Sequence, residues 1–244
     1  EQKLRDGRHH TTLGRRGRLA GRGAELEWDR KSFAQRGLEN WDHIVALGLE
    51  PGMRCVDYGC GSLRLGQHAM RFLDAGNYYG IDVTDAFIAS GLELIDPELL
   101  EAKAPRFGVI GDDVLREIGA WQPDFIFSNA VLQHVPQEDL GLYFRRLEMM
   151  MAPNSRAFIF FIAGERIEQF DSMSWSYPAD IIHAAIRAAA PSLSIDDGSA
   201  YEGRRADGRR REVIGLRKRS AAEPPPLPAP APTSPWAMPG PYTI

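Results

Sequence analysis

Apolar positions along the chain fall into short continuous runs separated by longer amphipathic stretches, beginning at residue 53. Short apolar runs are typical of buried strands, and the longer stretches carry the period of helices. The runs predict strands at 53–58, 77–82, 106–110, 124–129 and 156–163, and weaker strands at 193–196 and 211–217. The stretches predict helices at 25–48, 64–74, 85–102, 113–119, 137–151 and 179–190. This alternation predicts an α/β fold, with a mainly parallel sheet covered by helices on both faces.

The two ends of the chain lack this pattern. Residues 1–24 are rich in glycine and arginine and show little periodicity, and nine of residues 224–241 are proline. Proline-rich segments of this kind are extended linkers that do not build a core. We therefore predict three parts: a basic flexible arm at 1–24, one domain at 25–219, and a proline-rich tail or linker at 220–244.

Charge is distributed unevenly over the 244 residues. The formal net charge is −4, but residues 1–24 carry seven Lys or Arg against two acidic residues, and residues 202–219 carry eight against three. Basic flanks of this kind bind phosphate, RNA or an acidic partner, or else are solvated arms. Solvated arms are favoured because few aromatic residues are interleaved with the basic ones. Nucleic-acid binding through these flanks is the alternative.

Composition also indicates the cellular compartment of the protein and whether it binds a structural metal. The longest strongly apolar run, 157–163, is too short to cross a membrane, and the first residues lack the apolar core of a signal peptide. The two cysteines, Cys55 and Cys60, are too few for a disulfide framework or a four-ligand zinc site. We therefore expect a cytoplasmic protein with no membrane span and no bound metal.

The segment DYGCG at 57–61 lies at the end of the first predicted strand and leads into a helix. Its two glycines permit a tight turn and leave room for a ligand, and the start of the helix presents free N–H groups. A dinucleotide-binding fingerprint requires G-x-G-x-x-G, but Arg64 occupies the third glycine position. The sequence also contains no phosphate-binding G-x-x-x-x-G-K-[ST] loop. The spacing therefore argues against a dinucleotide and excludes a P-loop.

Polar residues also follow the next three predicted strands. Asp82 ends the second strand, where an acid can accept hydrogen bonds from the ribose hydroxyls of a nucleoside. Asp112 and Asp113 follow the third strand, where an acid can bind an adenine amino group. Asn129 and His134 follow the fourth strand. In parallel sheets ligands bind beyond the carboxyl ends of the strands, so these loops are where we expect the chemistry.

Residues 53–163, with these four features in this order, resemble the class I S-adenosylmethionine (SAM)-dependent methyltransferases. The resemblance implies a three-layer Rossmann-like fold, whose seven-stranded sheet has the order 3-2-1-4-5-7-6 and an antiparallel seventh strand. It also implies SAM as the cofactor and S-adenosylhomocysteine (SAH) as the product. The loop 57–61 would pass the methionine part, Asp82 would bind the ribose, Val83 and the acids after the third strand would flank the adenine, and Asn129 would lie near the methyl group. The implied cofactor-binding residues are Asp57, Tyr58, Gly59, Cys60, Gly61, Asp82, Val83, Asp112, Asp113 and Asn129.

The chain departs from the family pattern at two places. Leu63 stands where the family commonly has a glycine. Asn129 is followed by Ala130 and Val131 rather than by two prolines, which weakens the case for a nucleobase amine as the acceptor.

The implied reaction is direct displacement at the sulfonium methyl group, in which the protein aligns the nucleophile and excludes water. We expect a small-molecule or glycan acceptor, methylated at a hydroxyl. His134 is the candidate catalytic base, since its ordinary pKa is near neutral; bracing the loop is its alternative role. The loop 164–178 should flank the pocket. Trp28 and Trp41 on the first predicted helix would form a lid over the cofactor, or else pack that helix against the body of the domain. An RNA methyltransferase guided by the basic flanks and a non-catalytic SAM-fold binding module are the competing functions. The sequence predicts no oligomeric state.

Overall fold

The structure is a computed structural model that describes residues 33, 35, 37–196, 202–204 and 208–219. The strands are β1 (Cys55–Tyr58), β2 (Tyr78–Asp82), β3 (Arg106–Val109), β4 (Phe125–Ser128), β5 (Arg156–Ile162), β6 (Glu168–Asp171), β7 (Ser174–Ser176), β8 (Leu193–Asp196), β9 (Glu202–Arg204) and β10 (Arg210–Lys218). The helices are α1 (Leu38–Ala46), α2 (Gly66–Phe72), α3 (Asp85–Leu92), α4 (Pro97–Lys103), α5 (Asp112–Trp121), α6 (Leu140–Met150) and α7 (Ala179–Ala189), with short 3-10 turns at Leu132–His134 and Gln137–Asp139. The predicted arm at 1–24 and tail at 220–244 lie outside the described residues.

The central sheet has the order β3-β2-β1-β4-β5-β10-β8, with the short β9 paired to the start of β10. Strands β1 to β5 are parallel, and β10 runs antiparallel between β5 and β8. With β8 as the sixth strand and β10 as the seventh, the order is 3-2-1-4-5-7-6, so the predicted fold class is confirmed. The sequence does not predict β9 or the hairpin of β6 and β7, because these strands are short and mostly polar.

Two predicted helices differ from those in the structure. The predicted helix 85–102 is divided into α3 and α4, because Pro97 disfavours a helical conformation at Asp96. The Asp96 side chain accepts a hydrogen bond from the Glu98 N–H at 3.0 Å and so begins α4. The predicted helix 25–48 is described as α1 from Leu38 to Ala46, and residues 25–32 lie outside the described part.

Apolar side chains pack on both faces of the sheet. Along β1, Val56 and Tyr58 join one core cluster and Cys55 joins the other, as the two-residue period of a strand requires. The first cluster is covered by α5, α6 and α7, and the second by α1, α2 and α3; representative buried residues are Leu115, Leu147 and Ile186, and Ile44, Met70 and Ile88, respectively. The loops of the candidate site follow the carboxyl ends of the parallel strands.

The basic segment 202–219 is part of the sheet over Arg210–Lys218, as the weaker strand prediction at 211–217 expects. The Lys218 ammonium donates to two carbonyl oxygens at the end of α6, and Arg210 forms an ion pair with Glu212 at 2.8 Å. Buried apolar residues between these charges hold the strand in the core. This part of the segment is therefore not a solvated arm.

Candidate functional site

The segment 57–61 comprises the last two residues of β1 and the glycine bend that follows the strand at 59–61. Gly59 and Gly61 have φ values of 86° and 53°, in the left-handed region that favours glycine. A Cβ at Gly59 would lie 2.3 Å from Cγ2 of Val131, so a side chain there would overlap the loop after β4. A Cβ at Gly61 would meet nothing within 4 Å. The bend is therefore packed against the loop after β4 at Gly59 and borders open space at Gly61.

Asp82 joins the bend from the neighbouring strand. Its Oδ2 accepts a hydrogen bond from the Gly61 N–H at 2.8 Å, and its Oδ1 accepts one from the Val83 N–H at 2.8 Å. Burial raises the pKa of Asp82, while the backbone N–H groups of Gly61, Val83 and Thr84 lower it by bonding the carboxylate. The two strongest features of the sequence thus meet at one edge of the sheet, within hydrogen-bond distance.

Asp57 is enclosed in the core beside the bend. Its side chain is almost fully buried, and its Oδ2 accepts a hydrogen bond from the Tyr78 hydroxyl at 3.0 Å. Burial raises the pKa of Asp57 to about 8; the Tyr78 bond lowers it, and the nearby Asp82 charge raises it. The Asp57 carboxyl is therefore largely protonated at neutral pH.

The side chains of Tyr58 and Cys60 are also buried. The Tyr58 ring stacks on Tyr143 with the ring centroids 4.8 Å apart, in the cluster under α6. A Cβ at Gly80 would lie 3.2 Å from the Cys60 Sγ, which places the thiol against β2. These two residues therefore line the bend with backbone atoms only. The cofactor contacts predicted for Tyr58 and Cys60 are thus limited to their backbone atoms.

The residues predicted to flank adenine lie directly after β2 and β3, on the part of the carboxyl edge next to the bend; we call this part the rim. Val83, directly after Asp82, is half exposed. Asp112 and Asp113 are exposed at the start of α5, and the Asp113 carboxylate forms an ion pair with Arg116 at 2.5 Å. Asp113 is thus engaged within its own helix, whereas Val83 and Asp112 border the rim.

Asn129 lies after β4, where Ser128 ties the strand end to β1 through a hydrogen bond from its hydroxyl to the Tyr58 carbonyl at 2.8 Å. The Asn129 side-chain oxygen accepts a hydrogen bond from the Arg211 guanidinium at the start of β10. The sequence singles out Asn129 but not Arg211, because nothing distinguishes Arg211 within the arginine run 209–211.

His134 is held by hydrogen bonds at both ring nitrogens. Its Nδ1 lies 2.7 Å from the Met173 carbonyl oxygen and 3.3 Å from the Ser174 hydroxyl. A carbonyl oxygen only accepts, so Nδ1 carries a proton and Nε2 holds the lone pair of the neutral ring. The Gln133 side-chain nitrogen lies 3.0 Å from Nε2. A substrate hydroxyl that used this lone pair would take the place of the Gln133 amide.

Among the described residues, no three or more His, Cys, Asp or Glu side chains are grouped as a metal site, and no helix is long and apolar enough to span a membrane. A depression of about 420 Å³ lies near the opposite, amino-terminal edge of the sheet, bordered by Met53, Asp124 and Arg156 among others. It is separate from the bend, and none of the predicted site residues lines it.

Comparison with known proteins gives structural likenesses only. No protein-family model matches the sequence, and no curated protein matches it. The magnesium protoporphyrin IX methyltransferase of Synechocystis PCC 6803, solved with bound SAM, is 18% identical with a TM-score of 0.59, covering 90% of this chain and 96% of its own. A SAM-dependent methyltransferase of Anabaena variabilis is 16% identical with a TM-score of 0.52, covering 78% and 94%.

A third solved structure is the 1,6-didemethyltoxoflavin-N1-methyltransferase of Burkholderia thailandensis with bound SAH. It is 17% identical with a TM-score of 0.51, covering 81% of this chain and 88% of its own. Together with the strand order, these likenesses show that the chain has the fold of the class I SAM-dependent methyltransferases.

Proposed function

We propose that this protein is a SAM-dependent methyltransferase that acts on a small molecule. The observation that carries the proposal is the Asp82 carboxylate, which bonds the Gly61 N–H of the glycine bend at the carboxyl edge of the sheet. A fold of this kind hosts many functions, so the site has to carry the argument. Here an acid, two glycines and an exposed apolar residue lie together at one edge of the sheet, which supports a site for an adenosyl group.

The residues present fit the cofactor. Backbone N–H groups of Gly61, Val83 and Thr84 occupy three of the roughly four acceptor positions of the Asp82 carboxylate, so one acceptor position remains for a ribose hydroxyl. Val83 offers an exposed apolar side chain for the adenine face, and Asp112 lies on the same rim. The open space at Gly61 would take the methionine part. When bound, SAM supplies a methyl group already activated by its sulfonium, so the protein has to orient the acceptor and exclude water.

The acceptor is proposed to be a small molecule or glycan that is methylated at a hydroxyl. The solved structures that share the fold include methyltransferases named for a porphyrin and for a toxoflavin precursor, which supports a small-molecule acceptor. His134 would then be the base that takes the hydroxyl proton. The Met173 carbonyl supports this role because it fixes the proton on Nδ1 and leaves Nε2 as the basic atom.

Binding of SAH tests the cofactor assignment. We expect calorimetry to show SAH binding to the parent, and Asp82→Ala to weaken it by about tenfold or more because a charge-assisted hydrogen bond is lost. Asp82→Asn, which keeps one acceptor oxygen, should fall between the two. Asp74→Asn, which changes an exposed aspartate just before β2, is the matched control. A parent that binds no SAH, or an Asp82→Ala variant that binds as tightly as the parent, would refute the cofactor assignment.

The proposed role of His134 needs an acceptor, which a screen of hydroxylated small molecules with methyl-labelled SAM would supply. We expect His134→Gln to lower kcat for that acceptor by about 100-fold while the SAH affinity stays within twofold, because general base catalysis typically contributes that much. Ser174→Ala, which removes only a neighbour of Nδ1, is the control. An unchanged kcat in His134→Gln would show that this residue only braces the loop.

A further inference from the structure

Arg211 connects three parts of the molecule at the carboxyl edge of the sheet. It lies at the start of β10, paired with Ile162 at the end of β5. One terminal nitrogen of its guanidinium donates to the Asn129 side-chain oxygen and the other donates to the Asn40 side-chain oxygen on α1. The guanidinium also lies over the Phe160 ring of β5, 4.6 Å from its centroid. One planar group therefore contacts α1, the loop after β4, and β5.

The start of α1 is attached on its other side to the segment that follows the glycine bend. The buried Gln67 of α2 donates to the carbonyl oxygen of Phe33 at 2.7 Å. A Cβ at Gly37, the residue before α1, would lie 3.2 Å from a Leu65 methyl group. The Trp41 ring packs edge-on against Phe72 with centroids 5.6 Å apart. The beginning of α1 is thus held between α2 and β10.

The guanidinium is suited to hold the side-chain oxygens of Asn40 and Asn129 in fixed positions relative to each other. Its N–H donors are arranged in one rigid plane, and the face of an aromatic ring restricts the rotation of that plane. Since arginine only donates, the atom of Asn129 that faces it is the oxygen, and the amide has one orientation with its nitrogen left as the donor. A lysine at this position would offer a point charge without the planar geometry.

We propose that Arg211 is a positioning residue, which fastens α1 across the carboxyl edge of the sheet and orients the side chain of Asn129. The inference rests on the proposed function, because the role of Asn129 beside the cofactor belongs to it. With Arg211 in place, the first turn of α1 and the cofactor-facing amide are held by the same group. Loss of the Asn40 contact frees α1 at its β10 side, and loss of the Asn129 contact frees the amide; in either case bound cofactor leaves faster.

The test measures the dissociation rate of SAH from the full chain by stopped-flow in a double-mutant cycle. Arg211→Met keeps an unbranched side chain of similar length and removes every donor, and Asn40→Ala removes only the contact with α1. We expect Asn40→Ala to raise the rate roughly tenfold, the effect of one hydrogen bond to a charged group, and Arg211→Met to raise it by at least as much, because that variant also loses the Asn129 contact. The double variant should be no faster than Arg211→Met alone. Arg217→Met, an exposed arginine near the other end of β10, should leave the rate unchanged.

The proposal is overturned if Asn40→Ala leaves the dissociation rate within twofold of the parent, or if the two effects multiply in the double variant. A parent that does not bind SAH would refute the proposed function, and hydrogen exchange would then decide the question for Arg211. We expect Arg211→Met to speed the exchange of the α1 amides over Leu38–Ala46 in the ligand-free protein, relative to Arg217→Met. Equal exchange in the two variants would refute the attachment of α1.

Discussion

The surroundings of Asp57 in the folded protein change the pKa of its carboxyl group. The family resemblance implies that Asp57 is one of the cofactor-binding residues, but the fold encloses its side chain beside Tyr78, and burial raises its pKa to about 8. A carboxyl that is neutral in the folded protein and ionised in the unfolded chain makes stability depend on pH. Below about pH 4 both states hold the proton, and between about pH 4 and 8 only the folded state holds it. The folded state therefore loses stability as the pH rises through this window.

We accordingly expect Asp57→Asn, which keeps an acceptor for the Tyr78 hydroxyl, to flatten the pH dependence of the free energy of unfolding. Between pH 5 and pH 8 the parent should lose on the order of 2–4 kcal/mol more than this variant does. Urea unfolding across that range measures the difference, and Asp74→Asn controls for the removal of one carboxyl at the surface. Parallel curves for the parent and Asp57→Asn would mean that Asp57 is ionised in the folded protein.

At the scale of elements, helix α3 packs closely against the backbone that follows the glycine bend. A Cβ at Gly91 would lie 2.3 Å from the carbonyl oxygen of Ser62, directly after the bend. This neighbour is backbone and cannot rotate away, so the helix itself would have to move. Gly91 lowers the intrinsic helical stability of α3, but it allows the helix to lie against Ser62. The neighbouring Gly61 is bonded to the Asp82 carboxylate. Packing between elements therefore determines the residue here, against local helix propensity.

This close approach makes Gly91→Ala a test in which two effects oppose each other. Helix propensity alone would stabilise the variant by about 1 kcal/mol, but the forced displacement of α3 should cost more and leave a net loss of about 1–3 kcal/mol. Urea unfolding measures this loss. Ser90→Ala, exposed on the same helix, should be neutral or slightly stabilising. A more stable Gly91→Ala protein would show that α3 does not pack this closely.

At the scale of the whole molecule, the last described strand completes the core. β10 lies between β5 and β8; it pairs with β5 over residues 211–217 and with β8 over residues 215–218. Val213, Ile214 and Leu216 are buried there, so residues distant in sequence complete one sheet. The predicted domain end at 219 falls directly after this strand.

Two truncated chains test that boundary. A chain that ends after Arg219 should unfold with the same midpoint as the parent, because the residues it lacks belong to the proline-rich tail. A chain that ends after Gly208 lacks β10 and should show no cooperative thermal transition, because β5 and β8 lose their shared partner. Circular dichroism with thermal melting distinguishes them. A destabilised first chain would place part of the tail in the fold.

Local sequence patterns predicted much of the fold. The apolar runs placed β1 to β5, and the turn residues of 57–61 with the acid at Asp82 marked the edge where the ends of parallel strands meet. Boundaries were less accurate where competing signals overlapped, as at Asp96 and Pro97 inside a continuous helical pattern. The hairpin of β6 and β7 has almost no apolar alternation, so the sequence did not predict it; in the structure the two strands pair, and the Met173 carbonyl between them contacts His134.

The sequence by itself determined the alternation of strands and helices, because periodicity is a property of neighbouring residues. It also indicated that Gly61 and Asp82 lie at one edge of the sheet, because a βαβ alternation brings the carboxyl ends of its parallel strands to the same edge. Only the tertiary structure decided that Asp57 is enclosed in the core, that Tyr58 packs under α6, and that Arg211 joins Asn40 to Asn129. Those outcomes depend on burial and on contacts between residues up to 171 positions apart. No local pattern encodes them, since they arise when the layers pack.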